Sequence, residues 1–136
     1  MTTSFYVHIP FCRQKCGYCK FALTPVFSNA KIERYLGRLK EEVRRYLTCP
    51  PPKGGGEAGG FRANITKPPH PPLEGGFSLD TLYFGGGTPS ILTVEQIRGI
   101  LDVFREYRTF DENVEITLEA NPEDITPEYV SSLREI

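Results

Sequence analysis

The sequence predicts an α/β fold built on a parallel sheet, and three observations carry that prediction. Runs of aromatic and β-branched residues alternate with stretches of helical periodicity, giving strand, helix, strand, helix, strand, helix. Each strand run leads straight into a cysteine-, glycine- or glutamate-bearing segment, and parallel α/β barrels place their active sites in the loops after the strands. The 136 residues, 39% of them hydrophobic, suffice for one small domain with a core.

The first strand is expected over Ser4 to Ile9 and stops at Pro10. Tyr6 and His8 share one of its faces, and Phe5, Val7 and Ile9 share the other. His8 by itself reads as a packed histidine before it reads as a chemical group. A helix is expected from about Ser28 to Leu47, because Ile32, Leu36, Leu39, Val43 and Leu47 recur at helical spacing. Arg34, Arg38, Glu41, Arg44 and Arg45 fall mostly elsewhere and read as a solvated face.

From about 49 to 77 the composition turns to proline and glycine, which cannot bury enough apolar area to order itself. A disordered insert is expected there. A Pro-Pro-x-x-Gly-Gly pattern near both of its ends suits a repetitive DNA insertion, with recognition by a prolyl-peptide-binding partner as the alternative.

The second strand is expected over Leu79 to Phe84, followed by Gly85-Gly86-Gly87-Thr88-Pro89. Thr93 and Gln96 then form a capping box for a helix whose apolar stripe is Ile97, Ile100, Leu101 and Phe104. The third strand is expected over Val114 to Glu119, with Ile116 and Leu118 on one face and Glu115, Thr117 and Glu119 on the other. Thr126 caps a third helix, with Pro127 at its first position.

A formal net charge of −1 gives no electrostatic reason to expect nucleic acid or a membrane surface as partner. No apolar run approaches the roughly 20 residues a membrane span needs, and no signal peptide precedes the first strand. Three of the four cysteines are crowded together, which suits a reducing cytoplasm better than a disulfide framework. A cytoplasmic location is therefore expected.

Those three, Cys12, Cys16 and Cys19, follow a C-x3-C-x2-C spacing from which one loop can hold a soft metal centre. Pro10 and the permissive Gly17 argue for a loop rather than a helix. A cubane iron–sulfur cluster is usually held by four cysteines, so three would leave one iron open to a ligand. Zinc and a C-x-x-C redox pair at Cys16 and Cys19 stay open as alternatives. A closed zinc site needs a fourth ligand, whereas Cys49 stands alone and His8 and His70 form no pair.

Tyr6-Val7-His8-Ile9-Pro10-Phe11-Cys12, the cysteine spacing and Tyr18 before the last cysteine resemble the radical S-adenosylmethionine (SAM) superfamily. Within it they resemble the oxygen-independent coproporphyrinogen III oxidase group, which includes related heme chaperones. Phe84-Gly85-Gly86-Gly87-Thr88-Pro89 and Glu119-Ala120-Asn121-Pro122 match that group in the same order.

The resemblance implies that residues 1–136 are the N-terminal part of a radical SAM core domain. They would form three βα units of a partial TIM-like barrel whose remaining strands lie outside this sequence. It also implies that Cys12, Cys16 and Cys19 are the metal ligands of a 4Fe–4S cluster. The open iron would chelate S-adenosyl-L-methionine, which an electron from the cluster cleaves to methionine and a 5′-deoxyadenosyl radical.

Gly85, Gly86, Gly87 and Thr88 would lie at the methionine end of the cofactor, and Glu119 and Tyr6 would touch it. Tyr18 would shield the cluster or stack on a ligand. No catalytic residue is assigned beyond these. Porphyrin or heme is the implied client, with its site outside this sequence, and a flavodoxin- or ferredoxin-like protein is the implied reductant.

Phe21 stands where the true oxidases of that group carry a further cysteine, and their N-terminal extension is missing. Both features favour the heme chaperone branch. Lys20 departs from that branch, which usually has an acid there, and the 49–77 insert is longer than the family's link. A coproporphyrinogen III dehydrogenase, another radical SAM enzyme, a non-catalytic heme carrier and an inactive product of a split gene are the alternative readings.

Overall fold

The computed structural model describes residues 4–20, 23–24, 28–48, 79–107 and 110–136. The expected insert at 49–77, Cys49 included, lies outside the described residues, as does Phe21.

Three strands form one sheet in the order β1 (Ser4–Ile9), β2 (Leu79–Gly86) and β3 (Phe110–Leu118), with both pairings parallel. Helix α1 (Asn29–Thr48) joins the first two strands and α2 (Val94–Tyr107) the second two, while α3 (Pro127–Arg134) follows β3. Parallel strands taken in sequence order, with crossovers of one hand, carry their helices on one side of the sheet. The expected parallel α/β architecture is the one observed, as an open three-stranded sheet.

The register shows how the two faces differ. Phe5 pairs with Leu82, Val7 with Phe84, and Leu82 and Phe84 with Ile116 and Leu118, so these residues share the helix-covered face. There Val7, Ile9, Leu82 and Phe84 pack against Ile32, Leu36, Leu39, Val43 and Leu47 of α1 and Ile97, Ile100, Leu101 and Phe104 of α2. Fully burying a side chain of this size stabilises by about 1.5–3 kcal/mol, so both helical stripes are held mainly by this layer. Phe104 is fully buried and meets Phe5 edge-on at 5.1 Å between ring centroids. Ile116 is 41% exposed because β3 is an edge of the described sheet. The opposite face carries Tyr6, His8, Tyr83, Gly85, Glu115 and Thr117, and no described helix covers it.

The caps follow the sequence. Thr93 Oγ1 accepts from Gln96 N–H at 3.2 Å while Gln96 Oε1 accepts from Thr93 N–H at 2.9 Å, which closes the capping box. Thr126 Oγ1 accepts from Tyr129 N–H at 3.1 Å, ahead of Pro127. Several boundaries moved, among them the end of β3, which stops at Leu118, one residue short of the expected Glu119. Helix α1 starts at Asn29, and Ser28 lies just outside it, accepting from Lys31 N–H. Strand β2 runs on through Gly85 and Gly86, because ladder pairing uses the backbone and needs no side chain. Strand β3 begins at Phe110, four residues ahead of Val114, beyond a register irregularity between Leu79 and Thr81. The polar run at 111–113 hid that start from the hydrophobic pattern.

Replacing Phe104 with alanine leaves a cavity between β1 and α2, and stability should fall by about 3–5 kcal/mol. A urea unfolding midpoint measured beside that of the unsubstituted chain checks this value.

Candidate functional site

The motifs named from sequence converge at the C-terminal ends of the strands, and the contacts joining them are specific. Strand β1 ends at Ile9, and the chain continues through Phe11 into the cysteine loop. Gly87 N–H donates to Ile9 O at 2.7 Å and Thr88 N–H donates to Phe11 O at 2.8 Å, so the glycine turn is laced onto that exit. The base of the cysteine loop is closed by Thr24, whose N–H donates to Pro10 O at 2.7 Å and whose O accepts from Cys12 N–H at 3.4 Å.

Cys12 is buried with its Sγ 3.3 Å from Oγ1 of the equally buried Thr88. Cys16 is exposed and Cys19 half-buried, joined through Cys19 N–H to Cys16 O at 3.0 Å, and none of the three is in a disulfide. Tyr18 is exposed, and a hydrogen bond to Cys16 is the main reason its phenol is pushed above the ordinary value.

Three free thiols in one short loop are a soft donor set of the kind iron–sulfur and other thiophilic centres take. Among the described residues, no group of three His, Cys, Asp or Glu stands close enough together to hold an ion. The donor chemistry fits a soft metal centre, while the loop positions its three thiols separately in the geometry described.

Glu119 stands just beyond β3, held there by its N–H to Phe84 O at 3.0 Å. Its carboxylate accepts from Gly86 N–H at 3.1 Å and from the Tyr83 hydroxyl at 2.8 Å. Tyr83 in turn stacks on Tyr6, with ring centroids 5.8 Å apart and planes 19° from parallel. The hydrogen bond to Glu119 leads the causes that raise the Tyr83 phenol, and burial followed by the Glu119 charge raises that of Tyr6. Both phenols therefore stay protonated donors at neutral pH. Tyr6 is 57% exposed, so it packs on Tyr83 at the surface rather than in the core.

The glycines have an internal reason beyond the ligand approach expected from sequence. A Cβ on Gly85 would stand 2.9 Å from Tyr6 and Tyr83 ring atoms, and one on Gly87 would stand 2.5 Å from Phe11 O. Gly86 has φ +111°, and a Cβ there would lie 2.4 Å from His8 Nδ1. The space these three residues leave empty is where β1 and its aromatic residues sit.

Sequence reasoning missed four residues here. Tyr83 was within reach, since it lies two positions before Gly85 and so on the same strand face. Arg13, Ser90 and Asp124 carried no signal, because 111 residues separate Arg13 from Asp124. Arg13 pairs with Asp124 Oδ1, and Ser90 Oγ donates to Asp124 Oδ2 at 2.6 Å while accepting from Asn121 N–H at 3.0 Å. Burial opposes ionisation of Asp124, but the Ser90 hydroxyl and the Arg13 guanidinium outweigh it and hold the carboxyl below its ordinary value.

The relatives of this chain can now be set beside that geometry. It is 30% identical over 131 residues to a heme chaperone HemW from Mycobacterium tuberculosis, covering 95% of this chain and 27% of that protein. It is 32% identical over 133 residues to the heme chaperone HemW of Haemophilus influenzae, covering 95% of this chain and 30% of that one. The oxygen-independent coproporphyrinogen III oxidase of Salmonella typhimurium is 30% identical over 131 residues, with 96% of this chain and 23% of that protein covered. Among solved structures, HemN from Escherichia coli, a coproporphyrinogen III oxidase described as a radical SAM enzyme, superposes with a TM-score of 0.72. That match has 27% identity and covers 98% of this chain and 25% of HemN.

The chain is homologous to the HemW and HemN radical SAM proteins. It spans about a quarter of the length of the relatives it matches. No family model matches the chain. The three parallel βα units, an open sheet in this chain, correspond to the N-terminal part of HemN. Among the described residues no helix is long and apolar enough to cross a membrane.

Two outcomes follow from the geometry. Gly86→Ala combines a left-handed backbone with a clash on His8, so stability should drop by about 1–3 kcal/mol in a guanidinium titration. Because the Asp124 carboxyl is depressed when folded, its stabilisation is present above its unfolded value near pH ~3.9 and is lost as the pH falls through the folded one. The stability gap between the unsubstituted chain and Asp124→Asn should therefore be full at pH 7 and shrink toward pH 3 in paired urea titrations.

Proposed function

We propose that the strand-end site holds a 4Fe–4S cluster on Cys12, Cys16 and Cys19 with S-adenosylmethionine beside it, in a protein that handles heme as the HemW relatives are named for doing. The observation that carries this reading is the joining of the cysteine loop, the glycine turn and Glu119 at one end of the sheet. Cys12 meets Thr88, Gly87 is bonded to Ile9, and Gly86 is bonded to Glu119. Homology to a radical SAM enzyme of known structure supports it.

When bound, such a cluster supplies an electron for reductive cleavage of the sulfonium bond. The residues of this chain supply position. Cys12 stands on a strand exit fixed by two backbone hydrogen bonds, while Cys16 and Cys19 lie on the more exposed part of the loop, which would have to close for all three to hold one metal. Glu119 would touch the cofactor through a carboxylate that the Tyr83 hydroxyl and Gly86 N–H hold in place. Tyr6 offers an exposed ring face on the same side of the sheet.

The HemW names of several relatives and Phe21 in place of a further cysteine favour the chaperone branch over coproporphyrinogen III dehydrogenation. A flavodoxin- or ferredoxin-like reductant belongs to the same proposal. Zinc on the three thiols is the competing occupant of the loop.

Anaerobic reconstitution with iron and sulfide should give about four irons per chain and a broad visible absorption that bleaches on reduction. Cys16→Ala should lose at least half of both. A Cys16→Ala chain that keeps its full cluster, or native protein that carries zinc and takes up no iron, would sink the proposal. Heme titration of a protein of the full length of the HemW relatives, followed by a Soret band, separates the chaperone reading from the dehydrogenase one.

A further inference from the structure

We propose that Arg13 and Asp124 form a clasp that holds the cysteine loop shut against the glycine turn and thereby fixes where Cys12 stands. Its use in metal binding rests on the reading just given, but the closure itself does not.

Arg13 is the residue after Cys12, so one peptide unit couples the guanidinium to the first thiol. Its partner lies in the loop after β3. The Asp124 side chain is only 7% exposed, whereas that of Arg13 is 57% exposed. Both carboxylate oxygens are engaged, one by Arg13 and the other by Ser90 of the segment after β2. Ser90 is itself 5% exposed, and its hydroxyl is used in both senses, donating to Asp124 and accepting from Asn121 N–H. The loops that follow all three strands are thus tied through a single buried carboxylate.

An ion pair between two exposed side chains contributes little. Here the acceptor's side chain is only 7% exposed, so the pair is screened less than one between two open side chains, and releasing Arg13 leaves the carboxylate with one donor fewer. Opening the loop is penalised for that reason. Closed, it keeps the Cys12 thiol against Thr88 and out of solvent. Arg13 and Asp124 are positioning residues, since they act on the thiol through the loop.

Pulse alkylation of the full metal-free chain with iodoacetamide, resolved peptide by peptide, tests the clasp. In Arg13→Ala and in Asp124→Ala the modification rate of Cys12 should rise about tenfold, the scale of one hydrogen bond to a charged group. The rate at Cys16, already exposed, should stay within about twofold. Arg13→Lys should return the Cys12 rate most of the way. Amide exchange in α1 and α2 should quicken only by the modest global stability lost with the ion pair, well below the change at Cys12.

Unchanged Cys12 rates in both alanine variants would overturn the proposal. So would exchange throughout α1 and α2 that quickens as much as Cys12 modification does, which would mean that the loop opens only with the whole fold. A clasp signal in a chain that takes up no iron leaves the clasp standing and removes the cluster reading. Normal iron uptake with no clasp signal does the reverse.

Discussion

The arrangement depends on how closely β2 can approach the exit of β1. Two short backbone hydrogen bonds, Gly87 N–H to Ile9 O and Thr88 N–H to Phe11 O, continue the parallel ladder past the last strand residue. They exist because Gly87 has no Cβ, which would otherwise stand 2.5 Å from Phe11 O. Gly86 takes a left-handed turn next to His8, and Gly85 leaves room for the Tyr6 and Tyr83 rings. Without these three small residues the sheet would separate where the cysteine loop begins.

Everything chemical in the chain is hung from that contact. Cys12 is the thiol whose place is set by the sheet, since it follows the laced segment and its Sγ faces Thr88 on the other strand exit. Cys16 and Cys19 sit on the more exposed arc of the loop, so it is there that the loop would have to adjust to gather three thiols on one centre. On the helix-free face, Glu119 links Gly86 to Tyr83 and Tyr83 links to Tyr6, giving a polar and aromatic surface across all three strands. The helix-covered face carries Phe5, Val7 and Ile9 of β1 and Leu82 and Phe84 of β2 and serves the core.

Much of the fold was legible because its signals are local. Period-2 and period-3.6 patterns, a capping box at Thr93 and Gln96, and Thr126 ahead of Pro127 all act over a few residues. Strand boundaries were less legible. Pairing carried β2 into Gly85 and Gly86, and carried β3 back to Phe110 across a polar run, because ladder bonds come from the backbone and ignore side-chain character. In the site, the cysteines, glycines and Glu119 were named from motifs. Arg13, Ser90 and Asp124 were not, since nothing in the neighbourhood of any one of them points to the others.

The sequence by itself determined the parallel α/β class, the order of the elements, the three motif segments and the resemblance that led to the HemW and HemN relatives. Those properties rest on short-range periodicity and on residue types that read the same in any context. Only the tertiary structure decided which side chains meet across the strand ends: Thr88 with Cys12, Tyr83 with Glu119, and Asp124 with Arg13 and Ser90. It also decided that the glycines make room for the chain's own β1 exit. Such contacts follow from register and from the stacking of loops far apart in the chain, which local patterns do not encode.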